Sequence, residues 1–266
     1  MERDAAPPAA NPFNAITRRK TLSLLGYGCA AAAASACTYN EELGRSQLVF
    51  VSSGQMAQLA SSAWSDLKKQ QKVTNDPRYV DRVRRVAPKI ITASGGNPSE
   101  WEVQVFASKD LNAFALPGGK IGFYTGILDI MENDAQIAAV MGHEVAHVNY
   151  NHSGERYSQQ VGSSVAISAA QAAIGTGSQT GQLAMGALGL GAQVGILLPF
   201  SRKHELEADK FGLRYMHRAG YDPNEALKFW RKMAAQKQGS PPEFLSTHPA
   251  DTTRIAQLER EIALLK

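Results

Sequence analysis

The chain reads as an α+β protein, mainly α, with a small antiparallel or mixed β-sheet lying beside one central helix. Three observations carry that reading. Apolar residues recur at helical spacing over most of the chain beyond residue 53. One stretch only, 101–124, alternates apolar and polar residues as a half-buried strand does. Directly after it comes "MGHEVAHVNYNH", Met141 to His152, in which two histidines stand four apart with a glutamate after the first.

Length and composition permit such a fold. The 266 residues are 44% hydrophobic and 20% charged, enough for one sizeable core. The net charge of +4 comes partly from the N-terminus, where the first 36 residues hold four basic and two acidic side chains, leaving 24 and 22 beyond. There is no dense Lys/Arg run and no basic stripe with interleaved aromatics, so nucleic acid is excluded as a partner.

Residues 1–36 read as an export signal. Arg18, Arg19 and Lys20 precede an uncharged small and apolar run from Thr21 to Ala36 that ends in "ASAC". "TRRKTLSLL" resembles a twin-arginine signal, with Thr21 where an aromatic residue is common. The run is too short and too rich in alanine and glycine for a permanent membrane helix. The chain's two cysteines, Cys29 and Cys37, both lie here, so a mature chain beginning at Cys37 holds no internal disulfide. A lone first cysteine after a small-residue box resembles a bacterial lipoprotein, although Ala34 replaces the usual leucine. Cys37 is thus a candidate lipidation site and a route to the membrane surface, with plain cleavage after Ala36 as the alternative.

Residues 37–52 read as a linker. The remainder, 53–266, reads as one domain. Ser53 caps a helix to about Gln71, with Met56, Leu59, Ala60, Ala63, Trp64 and Leu67 on one stripe. Asp76 caps a second, where Val80, Val83, Val86, Ala87, Ile90 and Ile91 recur. "SGGNPSE" breaks the chain. "WEVQVFASKD" alternates as a strand, and further strands are predicted near Ala113–Leu116 and Lys120–Tyr124 around the turn Pro117-Gly118-Gly119. Asp134 begins the helix with the histidines. Residues 161–201 contain no charged side chain, and their glutamines, glycines and serines favour a helical lid or hairpin over a membrane span. Two helices follow, one ended by Gly220 and one begun by Asp222 with Pro223 in its first turn. A loop and a terminal helix close the chain.

On a helix, His143 and His147 project from one face one turn apart and can hold one zinc ion. Glu144 stands to the side of that face, where its carboxylate can take a proton from an activated water. A third ligand must come from elsewhere, and catalysis needs a fourth position open. His152 is off the face, and a surface position is expected for it. "HELEAD" supplies a better candidate: Glu205 could ligate, and Asp209, four residues on, could accept the ring N–H of a ligand histidine. His204 and His217 are expected to face solvent.

"HEVAH", "SRKHELEADKFG" and "STHPADTTRI" together resemble the HtpX, Oma and CAAX-prenyl-protease group of zinc metallopeptidases, peptidase family M forty-eight. The likeness runs from about Ala107 to Arg254 and includes "NAFALPGGKIGFYTGIL". It implies a gluzincin-like fold and one Zn2+ per chain held by His143, His147 and Glu205, with Asp209 behind them. It implies Glu144 as general base and His248 as hydrogen-bond donor to the developing oxyanion, or as a direct ligand that closes the resting site. Arg254 would orient this region or meet the tetrahedral intermediate. Asn112, Ala113 and Phe114 would lie along an extended substrate, which pairs as a strand with a sheet edge. The expectation is a zinc endopeptidase of the bacterial cell envelope, exported to the periplasm, acting on extended or misfolded proteins. Two alternatives remain: an envelope chaperone or assembly factor with a mostly closed zinc site, and a membrane-embedded prenyl-type protease.

Overall fold

The computed structural model describes residues 37–174, 200–235, 242–249 and 252–265, with the backbone alone for 165–174. The export signal, residues 1–36, lies outside them. Two compact units divide at Leu48. In the first, β1 (Cys37–Asn40) pairs antiparallel with β2 (Arg45–Leu48). The residues read as a linker therefore carry a short hairpin. Its turn closes because Gly44 takes φ 64° and Asn40 accepts from the Leu43 amide.

In the second unit, α1 (Ser53–Gln70) starts at the residue expected to cap it. Ser52 is the capping residue: its hydroxyl accepts from Gln55 N while the Gln55 side chain accepts from Ser52 N, a reciprocal pair that Ser53 cannot form. Asp76 caps α2 (Pro77–Ala93) as expected, and the predicted stripe from Val80 to Ile91 is buried. The three strands β3 (Glu102–Phe106), β4 (Ala113–Leu116) and β5 (Lys120–Tyr124) form a mixed sheet in the order β3-β5-β4. β3 runs parallel to β5 and β4 antiparallel to it, with Leu116 opposite Lys120 across the Pro117-Gly118-Gly119 turn. Both glycines have φ near +80°, which a side chain would strain. Trp64 of α1, Phe106, Phe114 and Tyr124 pack edge and face on one side of this sheet.

After α3 (Thr125–Ile130) comes the central helix α4 (Asp134–Asn149), capped by Asn133. From Gln136 to His147 every residue of α4 is buried, so it is a core helix covered all round. Asn151, at φ 51°, makes a left-handed link into α5 (His152–Ile174). Of residues 161–201, read as a lid or hairpin, 161–174 continue α5, and 175–199 lie outside the described residues. Among the described residues, no helix is long and apolar enough to cross a membrane.

Helix α6 (Arg202–Arg218) packs along α4. Two glycines let the backbones touch. A Cβ on Gly142 would lie 2.9 Å from Gly212 O, and one on Gly212 would lie 2.8 Å from His143 N. Then come α7 (Asn224–Ala235), the short α8 (Glu243–Thr247) and α9 (Thr252–Leu264), with α7 packed on α4 and α9 on α6 and α7.

Candidate metal centre

The glycine contact sets the site. Gly142 precedes His143, and Gly212 lies three residues after Asp209, so close approach there brings the acidic face of α6 against the histidine face of α4. His143, His147, Glu205 and His248 are all buried, and one ligand atom from each lies within 4.8 Å of the others. His143 Nε2 is 3.0 Å from His147 Nε2 and 3.2 Å from His248 Nδ1. Glu205 oxygens stand 3.4 Å from each of the α4 histidines and 3.0 Å from His248 Nδ1. Atoms about 2.1 Å from a tetrahedral ion are roughly 3.4 Å apart. The four donors are therefore spaced as the corners around one small cation.

The hydrogen-bond chemistry fits a metal too. His143 Nδ1 lies 2.9 Å from Asp209 Oδ1, and a carboxylate there can only accept. That leaves the His143 Nε2 lone pair pointing at His147 Nε2. Two such lone pairs at this distance repel unless a cation sits between them. Glu205 Oε2 is paired with the Arg254 guanidinium, Nη1 at 2.6 Å, which leaves Oε1 towards His147 and His248. This donor set, two imidazoles and a carboxylate with a third imidazole, is one that zinc accepts.

Arg254, expected from the resemblance to orient this region or meet the tetrahedral intermediate, is 2% exposed. It grips Asp209 through Nε at 2.7 Å and Nη2 at 2.8 Å, and lies over the Trp230 ring. Burial alone would raise the Asp209 and Glu205 carboxyls. The Arg254 charge together with the neighbouring histidines and hydrogen bonds outweighs it and holds Asp209 below, and Glu205 well below, the usual carboxylate range. Burial lowers His143, but Glu205 and Asp209 raise it more, to about 9. His147 is held well below its ordinary value, chiefly by burial. The pocket thus favours positive charge at its centre.

Glu144 stands beside this group. Its Oε2 accepts from Ala115 N at 2.9 Å, and its Oε1 is 3.3 Å from His248 Nε2. Burial raises its carboxyl, with His248 and His143 acting against the rise. The Ala115 amide points away from β5, since β4 is an edge strand whose free side faces α4. Of the expected substrate residues, Ala113 is fully buried and the Phe114 ring lies in the aromatic cluster, while Asn112 accepts from Tyr124 N. The side chains of Ala113 and Phe114 are turned inward, so only backbone remains there for a partner strand.

Two expectations fail. His152, expected at the surface, is 0% exposed, and His204, expected to face solvent, is 2% exposed. The reason is the left-handed turn at Asn151, which folds α5 back so that His152 lies under His147. His217 is exposed, as expected. Phe200 was not singled out by spacing, yet its ring packs 3.9 Å from His147 and 5.1 Å from His248, with the Arg156 guanidinium over it.

Peptidase family M48 matches this chain over residues 77–262, a wider span than the likeness read from the motifs. The chain belongs to that family. Among M48 relatives, the mitochondrial metalloendopeptidase OMA1 of Schizosaccharomyces pombe is 40% identical over 181 residues, which cover 66% of this chain and 51% of the relative. The beta-barrel assembly-enhancing protease of Escherichia coli is 28% identical over 227 residues, covering 81% of this chain and 45% of the relative. OMA1 of Saccharomyces cerevisiae is 31% identical over 263 residues, covering 91% and 74%. The chain spans about half the length of the first two. The M48 match bears out the expected family and the mainly helical fold with a small sheet.

Proposed function

We propose that this chain is a zinc-dependent endopeptidase of the bacterial cell envelope that hydrolyses peptide bonds in extended or misfolded proteins. The observation that carries the reading is the convergence of His143, His147, Glu205 and His248 on one buried point, with Glu144 beside it. A zinc ion held by these donors would supply Lewis acidity, polarising a scissile carbonyl and acidifying a water. Glu144 takes the proton of the attacking water and returns it to the leaving amine. Asp209 accepts from the ring of His143 and fixes its tautomer, and Arg254 fixes Asp209. The edge of β4 offers backbone groups to an extended substrate.

His248 has two tasks in this reading. Its Nδ1 occupies the fourth corner, which supports a resting site closed by its own histidine. Withdrawn from that corner, it can donate to the developing oxyanion. The closed corner also favours the second reading, an envelope chaperone or assembly factor whose hydrolytic site is mostly shut. The relatives' names, a mitochondrial metalloendopeptidase and a beta-barrel assembly-enhancing protease, support a role in a membrane-bounded compartment. Export by residues 1–36 and lipidation at Cys37 would hold the chain at the periplasmic membrane surface.

The test is zinc analysis with casein cleavage, comparing wild type and Glu144→Gln. Zinc at one per chain in both, with cleavage only in wild type, is expected. Zinc-loaded wild type that cleaves nothing, while a Glu144→Gln strain keeps its envelope phenotype, favours the chaperone. Expression of Cys37→Ser in a bacterial host with lipid labelling tests the anchor: loss of label and of membrane association is expected.

A further inference from the structure

Asp209 meets His143, and a different set of groups meets His147. His147 Nδ1 faces His152 Nδ1 at 3.0 Å, and His152 Nε2 lies 3.2 Å from Glu207 Oε2. The ring of His152 is stacked on His204 at 4.6 Å and 17°, and His204 in turn meets Glu155 at 3.2 Å. All three histidines are buried. The left-handed Asn151 leaves one residue between α4 and α5 after the Tyr150 cap, which fixes where His152 can lie.

We propose that His152 is a positioning residue for the metal ligand His147, and that Glu207 sets the tautomer in which it can do so. This rests on the metal reading of the site. The proton assignment follows from the partners. Glu207 can only accept, and its Oε2 at 3.2 Å, an ion-pair contact rather than an aligned hydrogen bond, favours the His152 tautomer with the proton on Nε2. The His152 Nδ1 lone pair then accepts the Nδ1–H of His147, and the His147 Nε2 lone pair is left free towards the other ligands. In the opposite tautomer, His152 would donate to His147 Nδ1. The remaining proton of neutral His147 would then sit on Nε2, where it blocks ligation. Glu207 thus does for His147, through one intervening ring, what Asp209 does directly for His143. The E-x-E-x-D spacing has a physical meaning in these terms. Glu205 and Asp209 share one side of α6, and Glu207, about 160° away from Glu205 at about 100° per residue, serves α5.

Two substitutions separate this role from packing. Asn at 152 puts a carbonyl oxygen where Nδ1 stands, and Gln puts its polar atoms near Nε2 instead. In the full-length chain, zinc affinity is measured by competition with a chromophoric chelator, and the urea midpoint is measured on the chelated proteins. His152→Asn is expected to bind zinc within about threefold of wild type, and His152→Gln about 10–100-fold more weakly, with like urea midpoints. Wild-type affinity in His152→Gln overturns the proposal, as does equal weakening in both variants in step with lost stability. Wild type that takes up no zinc overturns the metal reading itself, and this inference with it.

Discussion

Replacing Gly212 with alanine should loosen the metal centre without touching any ligand. The added methyl would sit 2.8 Å from His143 N and 3.0 Å from Gly142 C. Ordinary carbon contacts begin near about 3.4 Å, so α4 and α6 must part by roughly 0.6 Å. No side chain can swing away, because the atoms met are backbone. The His143–Asp209 hydrogen bond, 2.9 Å long, would stretch towards about 3.5 Å, where little of it survives. Overpacking of this kind costs about 1–3 kcal/mol. With a urea slope of about 2 kcal/mol per M, the midpoint falls by roughly 0.5–1.5 M. Zinc affinity should fall about tenfold or more, because ligands from the two helices no longer meet. Gly54→Ala is the control: that position is helical with nothing within 4 Å, and it should be neutral or slightly stabilising. A Gly212→Ala protein with wild-type midpoint and wild-type zinc affinity would refute the view that backbone contact sets the site.

Other outcomes can be stated with it. Glu144→Gln should lower casein cleavage by about 10²–10⁴-fold while zinc content stays at the wild-type level; retained cleavage removes Glu144 as the base. Arg254→Met leaves Asp209 and Glu205 buried beside each other without their shared cation, and should cost the chelated protein about 3–5 kcal/mol by urea unfolding. Zinc should restore part of that, since it re-pairs Glu205. The chelated wild type should also weaken in acid. Asp209 and Glu205 have folded values below those of the unfolded chain, so their contribution is complete above about pH 5 and is lost as pH falls through the depressed values. A urea midpoint that does not change between pH 5 and pH 3 would contradict this.

Much of this was legible in the sequence, for reasons that differ by element. The stripe of α2 and the alternation of β3 were readable because burial on one face imposes a period. Asp76 as a cap was readable because capping is local chemistry. His143, Glu144 and His147 were readable because i and i+4 share a helix face. Glu205 and Asp209 form another i, i+4 pair, but an isolated acidic pair is commonly a solvated face, and only the need for a third ligand selected it. His152 was misread because spacing along a helix says nothing once the helix ends. The turn at Asn151 reverses the chain, and an Asn-His step two residues past the last turn was the one available signal. His204 was misread for a related reason: it faces α5, whose placement no local pattern fixes. Arg254 was left undecided because its partners lie 45 and 49 residues away.

The amide of Ala115 makes one hydrogen bond, and it is given to Glu144. A polypeptide that lays itself along β4 in the register using that amide must first take it from the carboxylate. Under the proposed reading, seating the incoming strand and unleashing the proton acceptor would then be a single step, and a molecule too small to reach the strand would find the acceptor still tethered.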